Sequence, residues 1–473
     1  MSSQAENADD APKRFFGTSN PTTEASEICT SAPSNEIVSI PATAPATAAP
    51  RVAKRIIGQQ VPPEILKNQA LNNAIAILPA NYNFEVHKTV WRIRQANARR
   101  VALQFPEGLL LYSCVISDIL ESFAGVEETF IMGDVAFGAC CVDDYSASAL
   151  DADFLVHYGH SCLIPVSVTS IPCMYVFVDI KMDTEHFISC VRTNFPSGSR
   201  LILAGTIQFA ASMQLARTTL LTDYPEITVP QSKPLSPGEV LGCTAPVVPG
   251  EYDAIVFVAD GRFHLEALMI ANPRVKTFRY DPYGRILTVE EYDQQGMRDA
   301  RKNAVEKARD AETWGVVLGT LGRQGNPHIL EKIVCILEQQ NKKYVTVLLS
   351  EISPIKLKEM ARNGAVQAWI QIACPRLSID WGEEFQLPTL NPYEAFIALG
   401  QVPGWWEEGS LDYPMDYYSQ EGGEYNSSYH KKKGGQERGA GIAAAKAVMA
   451  QARVRKAAAV AEEAGGYLNT EQV

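Results

Sequence analysis

The stretch WGVVLGTLGRQGNPHILEKIVCILEQQNKKYVTVLLS, residues 314–350, carries the reading of the fold. An apolar, β-branched run ends in a glycine-rich turn. The segment NPHILEKIVCILEQQNK then has the length and period of a covering helix, and KYVTVLLS returns to strand composition. Outward from it the same alternation recurs: RVALQF, ETFIMGD, DFLVHYG, YVFVDI, RLILAG, DAIVFVAD and AWIQIA read as strands, and LLYSCVISDILESF as a helix. Short apolar strands separated by amphipathic stretches argue an α/β protein with parallel sheets.

The strands fall into groups that predict three small α/β domains, at 54–195 with an N-terminal helical extension, 196–310 and 311–403. The extension is VPPEILKNQALNNAIAILP, with Pro at a helix start. LILAGTIQF, IVFVADGRF and VVLGTLGRQG suggest an internal repeat, though their similarity is weak. Residues 1–53, rich in Ser, Thr, Ala and Pro, cannot offset their ordering entropy and read as disordered. Residues 404–473 turn Gly-, Tyr- and Ser-rich and read as a flexible tail with an Ala-rich helix near 440–464.

At 473 residues, 46% apolar, the chain can bury a sizeable core. No run approaches the about 18 apolar residues of a membrane span, and the polar, acidic start MSSQAENADD has no signal-peptide character. A cytoplasmic address is expected. Ten cysteines in so long a chain are expected as thiols. The net charge of -12 argues against general nucleic-acid binding. Eight Lys or Arg against one Glu between Lys431 and Lys456 leave -19 for the rest. That basic run reads as a solvated tail or as a contact for an acidic partner or RNA.

Walker A, GxGxxG, HExxH and CxxC motifs are absent. GTLGRQG at 319–325 follows a strand and can present backbone N–H groups to an anion, or be an ordinary glycine turn. GHSCL at 159–163 lacks the second Gly of a nucleophile elbow, and His157 and His160 read more readily as packed residues than as ligands. Cys140 in FGACCVDD, Cys243 in LGCTAP and Cys374 in IACPRLS lie near the ends of apolar segments, 103 and then 131 residues apart. Loop cysteines beyond strand ends are placed to converge, and three thiolates can hold a [4Fe-4S] cluster with one iron open. Each taken alone reads more readily as a buried structural thiol, and spacing does not overturn that.

Longer runs bear a resemblance. VPPEILKNQALNNAIAILPANYNFEVHKTVWRI, QFPEGLL, FGACCVDDYSA, DFLVHYGHSCLIP, PLSPGEVLGCT, DGRFHLE, VLGTLGRQG and ACPRLSIDWG, in this order, resemble the 2-(3-amino-3-carboxypropyl)histidine synthase family of diphthamide biosynthesis, on its first-subunit branch, over about residues 55–400. The resemblance implies three α/β domains around one [4Fe-4S] cluster held by Cys140, Cys243 and Cys374, with Cys141 the competing neighbour of Cys140.

It further implies electron transfer from the reduced cluster to S-adenosylmethionine, cleavage at the methionine γ carbon, and transfer of the 3-amino-3-carboxypropyl group to C2 of a histidine imidazole in elongation factor 2. By placement, contacts to S-adenosylmethionine are expected among Thr206, Gln208, Asp260, Arg262, His264, Arg323, Gln324 and Arg376. An Arg would pair with the carboxylate, and Gly319, Gly322 and Gly325 would allow close backbone approach. The implied partners are a second synthase subunit in a heterodimer, elongation factor 2, and a small metal-binding electron carrier with its reductase, with no membrane and no direct nucleic acid. A non-catalytic scaffold with zinc or no metal, and an iron-sulfur dehydratase or quinolinate-synthase-like enzyme, stay open as alternatives.

Overall fold

The computed structural model describes residues 14–15, 60–133, 141–161, 163–407 and 412–429. The first sheet comprises β1 (Arg100–Gln104), β2 (Glu128–Met132), β3 (Phe154–Tyr158) and β4 (Cys173–Val176). They lie in the order β2-β1-β3-β4, parallel throughout. The second has β5 (Leu201–Gly205), β6 (Ala254–Val258) and β7 (Thr277–Asp281) in parallel, with β8 (Ile286–Glu290) antiparallel to β7 and Arg14–Phe15 antiparallel beyond it. The third runs β9 (Thr313–Gly319), β10 (Lys343–Leu349), β11 (Ala368–Ile372) and β12 (Thr389–Leu390), in the parallel order β10-β9-β11-β12.

In the second sheet two isolated parallel bridges, Ile202 to Thr228 and Gly205 to Glu239, take the edge beside β5 where the other sheets have a full strand. Allowing for that, all three share one strand order. The weak repeat of strand-then-loop sequences thus corresponds to a repeat of topology.

Strand alternation explains the long apolar runs. Leu201, Leu203, Val256 and Val258 join a core shared with Val101, Leu103 and Val156 of the first sheet. Their neighbours Ile202, Ala204, Ile255 and Phe257 join a core shared with Trp314, Val316 and Ile370 of the third. A sheet buried on both faces has no polar side to show, so β5 and β6 read as unbroken apolar runs. Burying each such side chain contributes about 2 kcal/mol.

In the quoted stretch, Asn326 caps the helix Pro327–Gln339 by accepting from the His328 amide at 3.0 Å, and Ile329, Ile333 and Leu337 form its buried stripe. Gly315 lies opposite Trp369 in the ladder, where an added Cβ would run into the indole.

Three expectations need correction. The hairpin β7–β8 was not foreseen: a chain reverses there because Asp281 accepts from the Tyr283 and Gly284 amides at 2.9 and 3.2 Å and Arg285 takes a positive φ of 53°. The boundaries at 195/196 and 310/311 fall after helices that pack on the following sheet. The helix Thr184–Asn194 reaches the second sheet through His186 Nδ1 and Tyr280 Oη at 2.9 Å. The helix Gln294–Arg309 is fastened to the third unit by buried Arg301, paired with Glu394 at 2.7 Å twice and donating to the Thr389 carbonyl at 2.9 Å. The repeating element is therefore a helix followed by four strands.

The third correction concerns the tail from 404. Residues 412–429 pack into the core, with Tyr413, Met415, Tyr417, Tyr418 and Tyr425 buried. A tyrosine-rich composition looked polar, but each ring buries an apolar body while its hydroxyl finds a partner. Tyr413 donates to Glu394 at 2.8 Å and Tyr425 to Asp416 at 2.7 Å. The expected disordered N-terminus, apart from Arg14–Phe15, and the Ala-rich helix lie outside the described residues. Among the described residues no helix is long and apolar enough to cross a membrane.

Candidate metal centre

Cys374 follows β11, Cys243 sits in the bend where Leu241 and Thr244 bridge, and Cys141 precedes the helix Asp144–Ala149. Cys140 and Cys162 lie outside the described residues. Two glutamines at strand ends hold two of these turns. Gln104 donates to the Cys141 carbonyl at 2.9 Å and accepts from the Asp143 amide at 2.9 Å. Gln371 donates to the Cys374 carbonyl at 3.1 Å and to Ser378 Oγ at 3.0 Å. The third turn is held by backbone, Tyr417 N donating to the Cys243 carbonyl at 3.3 Å.

Burial pushes the Cys243 thiol up to about 12, with the nearby Cys374 adding to the shift. Burial likewise takes Cys374 to about 11, against the pull of the Arg376 amide and guanidinium. The Tyr418 phenol is driven far above its ordinary range by burial first, and it feels Cys141, Cys243 and Cys374 together. Among the described residues no three His, Cys, Asp or Glu side chains stand in ligating array, and the expected third thiol, Cys140, is outside them.

The glycine loop 319–325 has a packing role. Gly322, at φ +52°, lies where an added Cβ would stand 2.7 Å from the Val142 carbonyl, and a Cβ on Gly325 would strike the Gly319 carbonyl. The loop therefore seats directly on the backbone beside Cys141. Arg323 completes the joint, its Nε and Nη2 donating to Asp144 at 2.8 and 2.6 Å with the guanidinium 4.1 Å above the Tyr145 ring. Burial opposes ionisation of Asp144, yet the bonds from Arg323 and Ser170 hold its carboxyl below the usual range.

The three arginines expected to receive a carboxylate already have acidic partners. Arg376 bonds Glu266 at 2.6 Å, Asp380 at 2.8 Å and the Phe263 carbonyl at 2.7 Å. Arg262 pairs with Glu266 at 2.9 Å and Glu290 at 3.3 Å. A ligand carboxylate would have to displace or share an existing carboxylate at each of Arg262, Arg323 and Arg376. Thr206 and Asp260 lie in the loops that follow β5 and β6; the Thr206 amide donates to the Val258 carbonyl at 3.2 Å, and the Asp260 carbonyl accepts from Arg279 at 3.0 Å. Gln208 donates to the Gly159 carbonyl, tying the second unit to the GHSCL turn.

His264 and Gln324 keep open valences. Among the described residues, the buried atoms His264 Nδ1, His160 Nδ1, both ring nitrogens of His157, Gln324 Nε2 and Gln371 Oε1 have no partner. His160 and His264 stand edge to face at 5.8 Å, and burial lowers their pKa values to about 4 and 3, with Arg376 also acting on His264. His157, lowered to about 3 by burial and then by His160, extends the group inward. Burying so many unsatisfied groups is costly unless something binds them. Soft thiol donors beside unpartnered polar atoms fit a sulfur-ligated metal group with a polar ligand next to it. Sequence reasoning missed Tyr418, Gln104 and Gln371; only the glutamines left a signal, a polar residue at the end of an apolar strand.

Fold and site together define an α/β protein of three like-ordered sheets with cysteines in the turns beside them. Residues 105–410 match the family model described as "Putative diphthamide synthesis protein". The chain is 54% identical over 377 residues to 2-(3-amino-3-carboxypropyl)histidine synthase subunit 1 of Dictyostelium discoideum, covering 78% of each, and 53% identical over 371 residues to the Homo sapiens protein of that name, covering 78% of this chain and 82% of the relative. It belongs to the diphthamide synthesis family, on the branch of these subunit 1 proteins. Among solved structures it is similar to Dph2 from Pyrococcus horikoshii with a 4Fe-4S cluster, at 25% identity and a TM-score of 0.55, over 71% of this chain and 97% of that one.

Proposed function

We propose that this chain is the catalytic subunit for the first step of diphthamide formation, transferring the 3-amino-3-carboxypropyl group of S-adenosylmethionine to C2 of a histidine imidazole in elongation factor 2. The observation that carries the reading is that residues 131 apart in sequence, Cys243 and Cys374, are near enough to act on one another electrostatically, each in a turn held by hydrogen bonds to its carbonyl. The relatives' name supports the transferred group and the target imidazole, and the cluster in the archaeal structure supports the cofactor.

Cys140, Cys243 and Cys374 would hold a [4Fe-4S] cluster, which supplies one electron to the sulfonium. The remaining work falls to the protein. Gln324 Nε2 and His264 Nδ1, buried and without a partner among the described residues, are the groups we assign to the methionine end of the cosubstrate. Holding that end decides which carbon–sulfur bond is aligned for cleavage. Arg376, beside Cys374, offsets the negative charge of a bound thiolate. The close seating of loop 319–325 on residues 141–144 excludes water from the pocket. A cytoplasmic heterodimer with a second subunit, fed by an electron carrier and its reductase, completes the proposal.

The test is anaerobic co-expression with the second subunit, followed by iron and sulfide analysis and methylthioadenosine release with elongation factor 2. We expect near four irons per chain, lost on Cys243→Ala, Cys374→Ala or Cys140→Ala. Retention on Cys140→Ala with loss on Cys141→Ala would move the third ligand by one residue. Zinc or no metal in an intact heterodimer would refute catalysis by this subunit.

A further inference from the structure

Residues 412–429 lie beyond the part that matches the family model, yet they run through the centre. The segment is stitched to the Cys243 turn: Ala245 N donates to the Met415 carbonyl at 2.7 Å, Thr244 bridges Asp416, and Tyr417 N reaches the Cys243 carbonyl. It then crosses to the glycine loop. Tyr418 Oη donates to the Gln324 carbonyl at 3.2 Å, Asn326 Nδ2 to the Ser427 carbonyl at 3.0 Å, and Tyr429 Oη to the Arg323 carbonyl at 3.3 Å. Tyr418 is only 3% exposed and directly follows Tyr417, whose amide is bonded to the Cys243 carbonyl.

We propose that residues 412–429 are a strap built into the metal centre, with Tyr418 as a positioning residue. Its ring closes over the thiols, and its hydroxyl fixes the backbone of Gln324, whose side-chain amide is then presented as a buried donor without a partner among the described residues. The segment joins the turn that carries a thiol in the second unit to the loop seated on the first, so the three units close on the centre only when the strap is in place. The inference rests on the reading of this pocket as the cofactor site.

Its test begins on the full-length cluster-free chain, so that it can fail separately from the cofactor reading. Site-resolved alkylation by iodoacetamide is compared in wild type and Tyr418→Ala. Losing a buried aromatic ring is expected to raise labelling of Cys141, Cys243 and Cys374 at least about tenfold, while buried Cys190 and exposed Cys335 label as before. Tyr418→Phe keeps the ring and loses the bond to Gln324. Amide exchange across 319–325 should quicken about fivefold, the worth of one such bond.

In the loaded chain, Tyr418→Phe should shift the electron paramagnetic resonance spectrum of the reduced cluster at unchanged iron content. Where Tyr418→Ala also exposes Cys190, the Phe variant decides alone. Unchanged thiol labelling, loop exchange and spectrum overturn the strap. A wild type without iron, in which the thiols still respond, would instead keep the strap and refute the cofactor reading.

Discussion

Asp144 and Arg323 form the joint between the loop beside Cys141 and the glycine loop, and their coupling can be measured. The Asp144 side chain is fully buried and that of Arg323 is 11% exposed. Replacing Asp144 with Asn keeps the volume, removes the charge, and turns an amide N–H toward a guanidinium that needs acceptors. Breaking a buried pair from one side costs about 3–5 kcal/mol. The residual exposure of Arg323 and its stacking on Tyr145 favour the lower end, so about 3 kcal/mol is expected, or about 4 °C in Tm for a chain of this length.

Arg323→Gln should cost a similar amount. The double variant should cost far less than the sum, giving a coupling of about 2 kcal/mol in a urea-unfolding cycle. The pair also sets the seat of the loop, so Asp144→Asn should load less iron than a variant of equal Tm altered elsewhere. A coupling below about 0.5 kcal/mol, the size of an exposed pair, would refute the claim that this ion pair fastens the two loops.

Acid should loosen the molecule through its buried imidazoles. Burial, with neighbouring positive charge acting on His157 and His264, holds His157, His160 and His264 at about 3, 4 and 3. The unfolded chain takes up these protons below about pH 6.5 while the folded one does not. Their contribution is thus full above pH 6.5 and falls as pH drops toward 4, by up to about 1.4 kcal/mol per pH unit for each ring. Chemical unfolding at pH 7, 6 and 5 checks this, and His157→Asn should flatten the slope; a flat wild-type profile would contradict the buried neutral state. Gly322→Ala should cost about 2 kcal/mol, because it adds a clash with the Val142 carbonyl to left-handed strain. Gly198→Ala at φ +86°, with nothing within 4 Å, measures the strain alone, and equal losses in the two variants would argue against close loop seating.

The strands and their parallel arrangement were legible because a doubly buried strand leaves an unbroken apolar run, as DAIVFVAD and WGVVLGT do. The antiparallel β7–β8 was not, since FRYDPYGRILTVE alternates polar with apolar residues and resembles a connection. The sheet on which a boundary helix packs was not legible, because amphipathic periodicity reports that a helix has a core-facing stripe and is silent on which sheet receives it.

At the site, cysteines stood out by their glycine and proline contexts. The surroundings of the arginines were not legible, because a sequence shows their charge and hides the acids that face them: Asp144 is 179 residues from Arg323 and Glu266 is 110 from Arg376. Tyr418 was hidden by the composition around it, which is that of a loose tail.

The middle sheet has a consequence for how such a molecule can change over generations. Three units of one topology look like a modular array in which copies are added, dropped or exchanged. Here the central copy gives one face to each neighbour and has none left for water. Deleting it would strand two apolar surfaces of unlike shape, and a transplanted substitute would have to match both at once. Ancestral likeness survives in the order of the strands, while the freedom to shuffle them has been lost.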